Sequence, residues 1–398
     1  MVVIDFSHLS FRMLHTAIFL TKPKKRNGQF ITEDFENMYK HLIFKSLLYI
    51  RKSHKDKDIL IALDSKNNWR KNFYPEYKSN RKKGREKSEI NFDEFFEVLD
   101  NVIEELKNFP FKTVKLNYLE ADDIASILVQ KYPEKNKILI TSDKDWKQLL
   151  INSNTKMYDP IKKEFQKLSK EEAEIIEIPE LGLKKSRYVL KHILLGDAVD
   201  NIPGVVKNTK FSDNFKKYLK ELNLNLTEEE FWDLNEEKRN NLIDNYNVFK
   251  VIKSGKRKGE FSDEKDIFKT VPFGEKKALK VLESKDTLLD FLNSNNLYLK
   301  NFKRNLILID MSYVPEELSE QVLNFINNYK ITYNSNEIKN FFIKNGLNDL
   351  LSDLHLFIDN RYENKAELIF DSRAKYEVQN DFTLNENDVK IEDDEFDF

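Results

Sequence analysis

The sequence predicts an α/β fold: a central, mainly parallel sheet flanked by helices, followed by a helical C-terminal region. Three observations carry this. Short β-rich runs recur along the first part of the chain, and each ends in an acid: Val2-Val3-Ile4 before Asp5, Ile59-Leu60-Ile61-Ala62-Leu63 before Asp64, and Ile138-Leu139-Ile140-Thr141-Ser142 before Asp143. Runs apolar at consecutive positions read as strands buried on both faces. Segments of helical period lie between them, and strands alternating with helices build a parallel sheet.

Taken in order, Asn37 to Tyr49 places Leu42, Phe44, Leu47 and Leu48 at near-helical spacing. Phe92 to Leu106 carries a clean 3.6-residue stripe of Phe95, Phe96, Leu99, Val102, Ile103 and Leu106. Val114 to Tyr118 reads as a fourth strand ending just before Glu120, and Ile124 to Gln130 as the helix after it. From about residue 180 the pattern is helical almost throughout. Thr227-Glu228-Glu229-Glu230 fits a capping box. Pro315 opens a helix with Leu318, Val322, Phe325 and Ile326 on one face. Ser335 or Asn336 can cap the next helix, which carries Ile338, Phe341 and Phe342, with Leu350, Leu351 and Leu354 beyond Gly346.

The 398 residues, 40% hydrophobic, suffice for one large or two modest domains. The expected division is an α/β domain over 1–200, a helical region over 201–359, and a disordered acidic tail over 360–398, closing on Ile391-Glu-Asp-Asp-Glu-Phe-Asp-Phe398. A net charge of −2 gives no global pull toward polyanions, so such attraction must be local. The absence of cysteine excludes disulfides, thiolate zinc sites and cysteine nucleophiles. No apolar run is long enough for a membrane span. Asp5 stands where a secretory signal would carry positive charge. The expected setting is therefore the cytoplasm.

The acids are the informative feature. Asp5, Asp64 and Asp143 fall at strand ends, where open parallel sheets bind ligands. Glu120-Ala-Asp122-Asp123 and Asp143-Lys-Asp145 sit where a strand hands over to a helix, and Asp197 and Asp200, three apart, share one face of a helix or turn. For any one of them, helix capping is the commoner reading. For all of them together it is a strained one. Gathered carboxylates repel, and a divalent cation removes the conflict. Magnesium binds oxygens and keeps several waters, and two such ions can bracket a phosphodiester. No His-Glu-x-x-His pattern and no complete phosphate-binding loop competes.

Between Asp64 and Phe92, positive charges interleave with aromatics: Trp69-Arg70-Lys71, Tyr77-Lys78, Arg81-Lys82-Lys83 and Arg85. Lysine and arginine meet phosphates, and aromatic rings stack unpaired bases. A solvated loop is the plainer reading of a basic run, but its place directly after Asp64 favours nucleic acid. Lys256-Arg257-Lys258 is a weaker patch, for which the solvated reading holds.

These motifs resemble the phage and bacterial 5′-nuclease family of flap endonucleases and 5′-exonucleases. The resemblance rests on Val-Ile-Asp5, on Leu-Asp64 followed by Trp69-Arg70 and Tyr77-Lys78-Ser-Asn-Arg81, on Tyr118-Leu-Glu120-Ala-Asp122-Asp123, on Thr141-Ser-Asp143-Lys-Asp145, and on Gly196-Asp197-Ala-Val-Asp200-Asn-Ile-Pro-Gly204. Asn301 to Asp310, followed by Tyr313-Val-Pro315, further resembles the ribonuclease H branch of T-even phages. The resemblance implies a PIN-like α/β nuclease domain with a basic arch over ~69–89 and a helix-hairpin-helix-type module. It implies a magnesium-dependent 5′→3′ exonuclease and flap endonuclease with ribonuclease H activity, removing RNA primers and 5′ flaps in phage replication in the host cytoplasm. Two Mg2+ ions, with Mn2+ as substitute, would be held by Asp5, Asp64, Glu120, Asp122, Asp123, Asp143 and Asp145, with Asp197 and Asp200 at the second position. Arg70, Lys78 and Asp143 would be catalytic. Lys71, Tyr77, Arg81 and Lys82 would join Arg70 and Lys78 on nucleic acid.

The sequence departs from the family after Gly204-Val205, where the hairpin is interrupted by a charged stretch read as an insertion over ~208–268. The hairpin's end reappears at Val271-Pro-Phe-Gly274-Glu-Lys276-Lys277. This leaves open whether Gly274, Lys276 and Lys277 grip duplex backbone and whether K+ binds. The implied partners are RNA–DNA hybrids and duplex DNA with a 5′ end or flap, acted on by a monomer. The acidic tail resembles those of single-stranded-DNA-binding proteins, or is an inert solubilising segment. The rival functions are a catalytically inactive structure-specific binder and a PIN-type ribonuclease.

Overall fold

The computed structural model describes residues 1–21, 33–54, 58–81, 85, 90–206, 209–251, 259–270 and 273–357. The described residues form two compact units. One comprises Met1–Leu190, Asp197–Ile202 and the chain from Leu306; the other comprises Lys191–Gly196 and Pro203–Asn305.

The first unit is built on six strands: β1 (Val2–Asp5), β2 (Ile59–Ala62), β3 (Lys112–Val114), β4 (Lys137–Ile140), β5 (Thr155–Asp159) and β6 (Glu164–Gln166). Their order is β3-β2-β1-β4-β5-β6. All pairings are parallel except β5–β6. β1 is central, with Val2 opposite both Ile59 and Ile138.

Both faces of the sheet are covered, which is why the strand runs are apolar at consecutive positions. Val2, Ile4, Ile59 and Ile61 face one core, formed with α1 (Phe6–Thr21), α2 (Glu33–Ser53) and α4 (Phe92–Leu106). Val3, Leu60, Ala62 and Val114 face the other, formed with α5 (Ala121–Lys131) and the 3-10 helix Lys144–Ile151. The short helix α3 (Trp69–Phe73) begins after Asn68, whose side chain accepts from the Arg70 amide.

Several expectations are corrected. The fourth strand is Lys112–Val114 and ends earlier than read, because Tyr118 sits in a turn at φ 67°. The helix Glu316–Asn328 sends Leu318, Val322 and Ile326 into the second sheet core, and Ser335–Lys344 sends Ile338 and Phe342 into the first. These C-terminal helices thus belong to the sheet's own unit. Their caps also differ: Pro315 stands at the N-cap, and Asn334 caps the second helix. The second half is not helical throughout, since Ile175–Ile178 pairs with Leu183–Ser186, Thr209–Phe211 with Phe268–Thr270, and Phe249–Val251 with Phe261–Lys265. The last two ladders lie in the stretch read as an insertion. That stretch has its own core of Phe211, Phe215, Leu219, Phe231, Tyr246 and Ile267. The Thr227 capping box forms as read. The segment 360–398 and Lys256-Arg257-Lys258 lie outside the described residues. No helix of the described residues is long and apolar enough to cross a membrane.

In the second unit, Gly204 packs its α-carbon against backbone. A Cβ there would meet the Leu195 carbonyl oxygen at 2.9 Å and that of Leu194 at 3.2 Å. Gly204→Ala should therefore destabilise the protein by about 1–3 kcal/mol through overpacking. Urea unfolding checks this, and an unchanged midpoint would show that the backbone yields freely.

Candidate active site

Parallel strands deliver their C-terminal ends to one edge of the sheet, so Asp5, Asp64 and Asp143 become neighbours through topology. Each also meets a backbone amide. Asp5 Oδ1 accepts from His8 N at 2.9 Å, turning the chain from β1 into α1. Asp64 Oδ1 accepts from Ala121 N at 2.9 Å and ties the end of β2 to the start of α5. Glu120 and Asp123 form a capping box at that same helix start. Asp143 Oδ1 accepts from Asp145 N at 2.9 Å, and Asp197 Oδ1 from Val199 N at 2.8 Å. Capping and convergence therefore hold together: the backbone groups that fix each acid also aim it at the common edge.

The cations come from the basic segment. Arg70 is 2% exposed. Its Nη2 lies 2.8 Å from Asp123 Oδ1, its Nη1 3.8 Å from Glu120 Oε2, and its Nε donates to the Leu308 carbonyl at 3.1 Å. The guanidinium stacks on the Trp69 ring at 4.6 Å. Nη1 is buried without a hydrogen-bond partner among the described residues. Lys78 Nζ donates to Glu120 Oε1 at 2.6 Å and lies 3.5 Å from Asp200 Oδ2. Tyr77 donates its hydroxyl to Glu120 Oε2 at 2.8 Å. Arg81 Nη2 meets Asp200 Oδ1 at 2.6 Å.

The base of the basic segment is stitched to the 197–202 turn. Lys78 N donates to the Asp200 carbonyl at 2.8 Å, Asn80 to the Ala198 carbonyl at 3.0 Å, and Asn201 to the Glu76 carbonyl and Ser79 Oγ, both at 2.9 Å. Lys78 and Asn201 hold left-handed backbone, at φ 56° and 60°. A non-glycine side chain at such an angle is strained and persists where surrounding contacts over-determine it.

The acids divide by what neutralises them. Burial opposes ionisation of Glu120, but Lys78 and Arg70 outweigh it and hold the carboxyl at about 2. Burial and the neighbouring Asp64 raise Asp5 to about 7. Burial with Asp143, Asp197 and Asp200 raises Asp145 to about 7. Burial, then Glu120, raises Asp64, and the same two causes push Asp122 well above the carboxylate range. One small cleft of about 20 Å³ is lined by Arg70, Asp122, Asp145, Asp197 and Asp200.

The donors fit magnesium in kind, since every one is an oxygen and the least neutralised acids adjoin one another. Among the described residues no three His, Asp or Glu side chains stand close enough to hold an ion by themselves. Magnesium uses few direct protein oxygens and fills the rest with water.

Asp123 departs from its expected role. It is fully buried, with Oδ2 on the Glu120 amide at 2.9 Å and Oδ1 against Arg70. It pairs with Arg70 and is closed to solvent. Lys71 is exposed on α3, and Lys82 lies outside the described residues. Gly274, Lys276 and Lys277 belong to the second unit, exposed at the start of the helix Glu275–Val281. The sequence reading gave no role to Thr141, whose hydroxyl donates to Asp5 Oδ2 at 2.8 Å and accepts from Asp143 N at 3.0 Å. Its position two residues before Asp143, at the spacing of a hydroxyl turn, was the available signal. Nor did it see the Leu308 carbonyl, which no side-chain motif marks.

Arg70→Met should cost about 3–5 kcal/mol, because it leaves Asp123 buried and uncompensated. Denaturant unfolding checks this. A loss below ~1 kcal/mol would mean that Asp123 takes up its proton without penalty.

Residues 1–177 match the family described as 5′-3′ exonuclease, N-terminal resolvase-like domain, and residues 264–357 match T4 RNase H, C terminal. Ribonuclease H of Enterobacteria phage T4 is 26% identical over 363 residues, 89% of this chain and 95% of that protein. The 5′-3′ exonuclease of Buchnera aphidicola subsp. Acyrthosiphon pisum is 35% identical over 162 residues, 40% of this chain and 52% of that one, so only about half of that relative is spanned. A solved structure of T5 5′-exonuclease with zinc bound gives a loose likeness, with a TM-score of 0.48 and 16% identity over 81% of this chain and 98% of that one. The two domain models lie in order along one chain and one relative aligns across nearly its whole length, so the likeness to the 5′-nuclease family, and to the phage T4 ribonuclease H within it, runs through most of the chain.

Proposed function

We propose that this chain is a divalent-metal-dependent 5′→3′ exonuclease and flap endonuclease with ribonuclease H activity. Its substrates are RNA–DNA hybrids and duplex DNA with a 5′ end or flap, and its task is removal of RNA primers and flaps during phage DNA replication. The observation that carries the reading is the sheet edge: Asp5, Asp64 and Asp143 from neighbouring parallel strands act on one another, and Asp64 adjoins Lys78, which shares Glu120 with a buried guanidinium whose Nη1 is unused among the described residues.

Two Mg2+ ions are the proposed cofactors, with Mn2+ as substitute. Asp5, Asp64 and Asp143 would hold one, and Asp122, Asp145, Asp197 and Asp200 the other, several of them through water. The ions would supply a nucleophile at neutral pH and charge for the leaving oxygen. Lys78 and Arg70 would meet the scissile phosphate and its developing negative charge, their geometry fixed in advance by Glu120, Asp123 and Trp69. Glu120 would act chiefly by holding Lys78, since its own charge is already neutralised. Tyr77 would keep Glu120 in place, and Arg81 would hold the strand beyond. The helix-hairpin-helix role of Gly274, Lys276 and Lys277 belongs to the same proposal.

Asp143→Asn keeps an oxygen for the Asp145 amide, so the fold should survive while cleavage of a 5′-labelled hybrid falls by at least about 100-fold. Full activity in that variant would count against the assignment.

The raised carboxyls also predict a pH dependence. Asp5 and Asp145 have folded values of about 7 against an ordinary 3.8. Between those values the folded state holds protons that the unfolded state lacks, so metal-free stability falls as pH rises through the window. A cation that replaces those protons should raise the melting temperature more at pH ~8 than at pH ~6. Equal shifts at the two pH values would show that magnesium does not meet these groups. Glu120 runs the other way: its contribution is present above 4.5 and is lost as pH falls toward about 2.

A further inference from the structure

On the α1–α2 face of the sheet lies a cavity of about 520 Å³ that the proposed chemistry does not use. It is walled by α1, α2 and the β5–β6 hairpin, and Asp5 is its single carboxylate among the described residues. Arg12, Lys45 and Lys163 line it from those three elements. The two lysines are exposed and make no ion pair among the described residues. Arg12 Nε is buried without a hydrogen-bond partner among the described residues, with Asp159 as the carboxylate that acts on its charge. Tyr49, 62% exposed, and Phe165, 49% exposed, present rings at the same opening.

The backbone adds a separate observation. Lys163 closes the β5–β6 turn at φ 58°, with its amide on the Asp159 carbonyl at 2.7 Å. Glycine or asparagine would adopt that angle with less strain. A lysine there keeps a strained backbone and gains a cation beside the cavity.

Three cations from separate elements, two open aromatic rings and a volume within the range of small-ligand pockets fit a phosphate with its base. We propose that this cavity is a second nucleotide subsite, taking the phosphate of one unpaired nucleotide on Arg12, Lys45 and Lys163 and its base against Tyr49 and Phe165. Asp5 belongs both to this cavity and to the carboxylate edge, whereas Trp69, which carries Arg70, packs in the core of the opposite face. A strand would thus be held on both sides of the edge. The subsite rests on the nuclease reading for its purpose and not for its chemistry.

The test is anisotropy of a short labelled single-stranded oligonucleotide in chelator, so that binding is read without cleavage. Lys45→Glu/Lys163→Glu should weaken Kd about ten-fold or more and lower the salt slope by about 0.7, the value for one neutralised phosphate on a single strand. Lys162→Glu, an exposed lysine of the same turn outside the cavity, should change Kd less than about two-fold. Tyr49→Ala should weaken binding of an ordinary oligonucleotide but not of one with abasic ends. Equal losses in the Lys162 variant and the double variant would overturn the subsite as general charge, and parent-like binding in the double variant would overturn it outright. Magnesium-dependent cleavage by the parent is measured in parallel. Cleavage with unaltered binding in the double variant refutes the subsite alone, and lost binding with a parent that does not cleave refutes the nuclease reading alone.

Discussion

Arg70 places a full positive charge where almost no water reaches it, and the geometry of the site follows from how that charge is matched. Asp123 answers it directly, Glu120 partly, and the Leu308 carbonyl takes its Nε. Burying one such charge alone is prohibitive, and burying it with a fixed partner is tolerable. Glu120, already neighbour to Arg70, then receives Lys78 and Tyr77. The basic segment is therefore bound to the sheet edge by its own charges. The same arrangement sorts the acids. Those next to Arg70, Lys78 and Arg81 are matched within the chain. Asp5, Asp64, Asp122 and Asp145 are raised, by burial first and by neighbouring carboxylates next. On the proposed function, these acids are where a divalent cation and a polyanion would be handled together.

Much of this was legible in the sequence because it depends on adjacency. A strand followed by an acid is visible as a run, and parallel topology then brings the acids to one edge without further information. Asp5, Asp64 and Asp143 are of this kind. What stayed hidden depends on partners distant in sequence. Nothing near Arg70 says that it is buried while Lys71 is exposed, because the difference is made by Trp69 packing into the sheet and by Leu308. Asp123 was read with Asp122 as an equal ligand, yet one helical position turns it inward. The helices after Leu306 carry ordinary amphipathic stripes, and a stripe does not say which surface it will cover. The strands between Thr209 and Thr270 were missed because they are three to five residues long, rich in lysine and acid, and half exposed. Such strands show no alternation to read.

The plain and the functional readings of the acids turn out not to compete. A carboxylate that caps a helix is fixed in direction by the amide it accepts, and the helix start contributes partial positive charge that favours it there. Asp64 shows the point best. It leaves β2, caps a helix that begins 57 residues later, and thereby locks β2 to α5 beside Glu120 and Asp122. Capping supplies the rigidity that a metal-binding carboxylate needs, and it uses only one of the two oxygens.

Rigidity also governs the cations. Lys78 sits at a strained backbone angle, and its amide is held by the Asp200 carbonyl while its amine reaches back to Asp200 and Glu120. Asn80 and Asn201 are bonded across the same seam, so residues 76–81 are tied to the 197–202 turn at several points. Movement of Lys78 away from the edge would break the backbone bond, two ion pairs and the asparagine bonds together. On the proposed function, a phosphate arriving at the edge would meet an amine already in place, and the strain at Lys78 is maintained by these contacts.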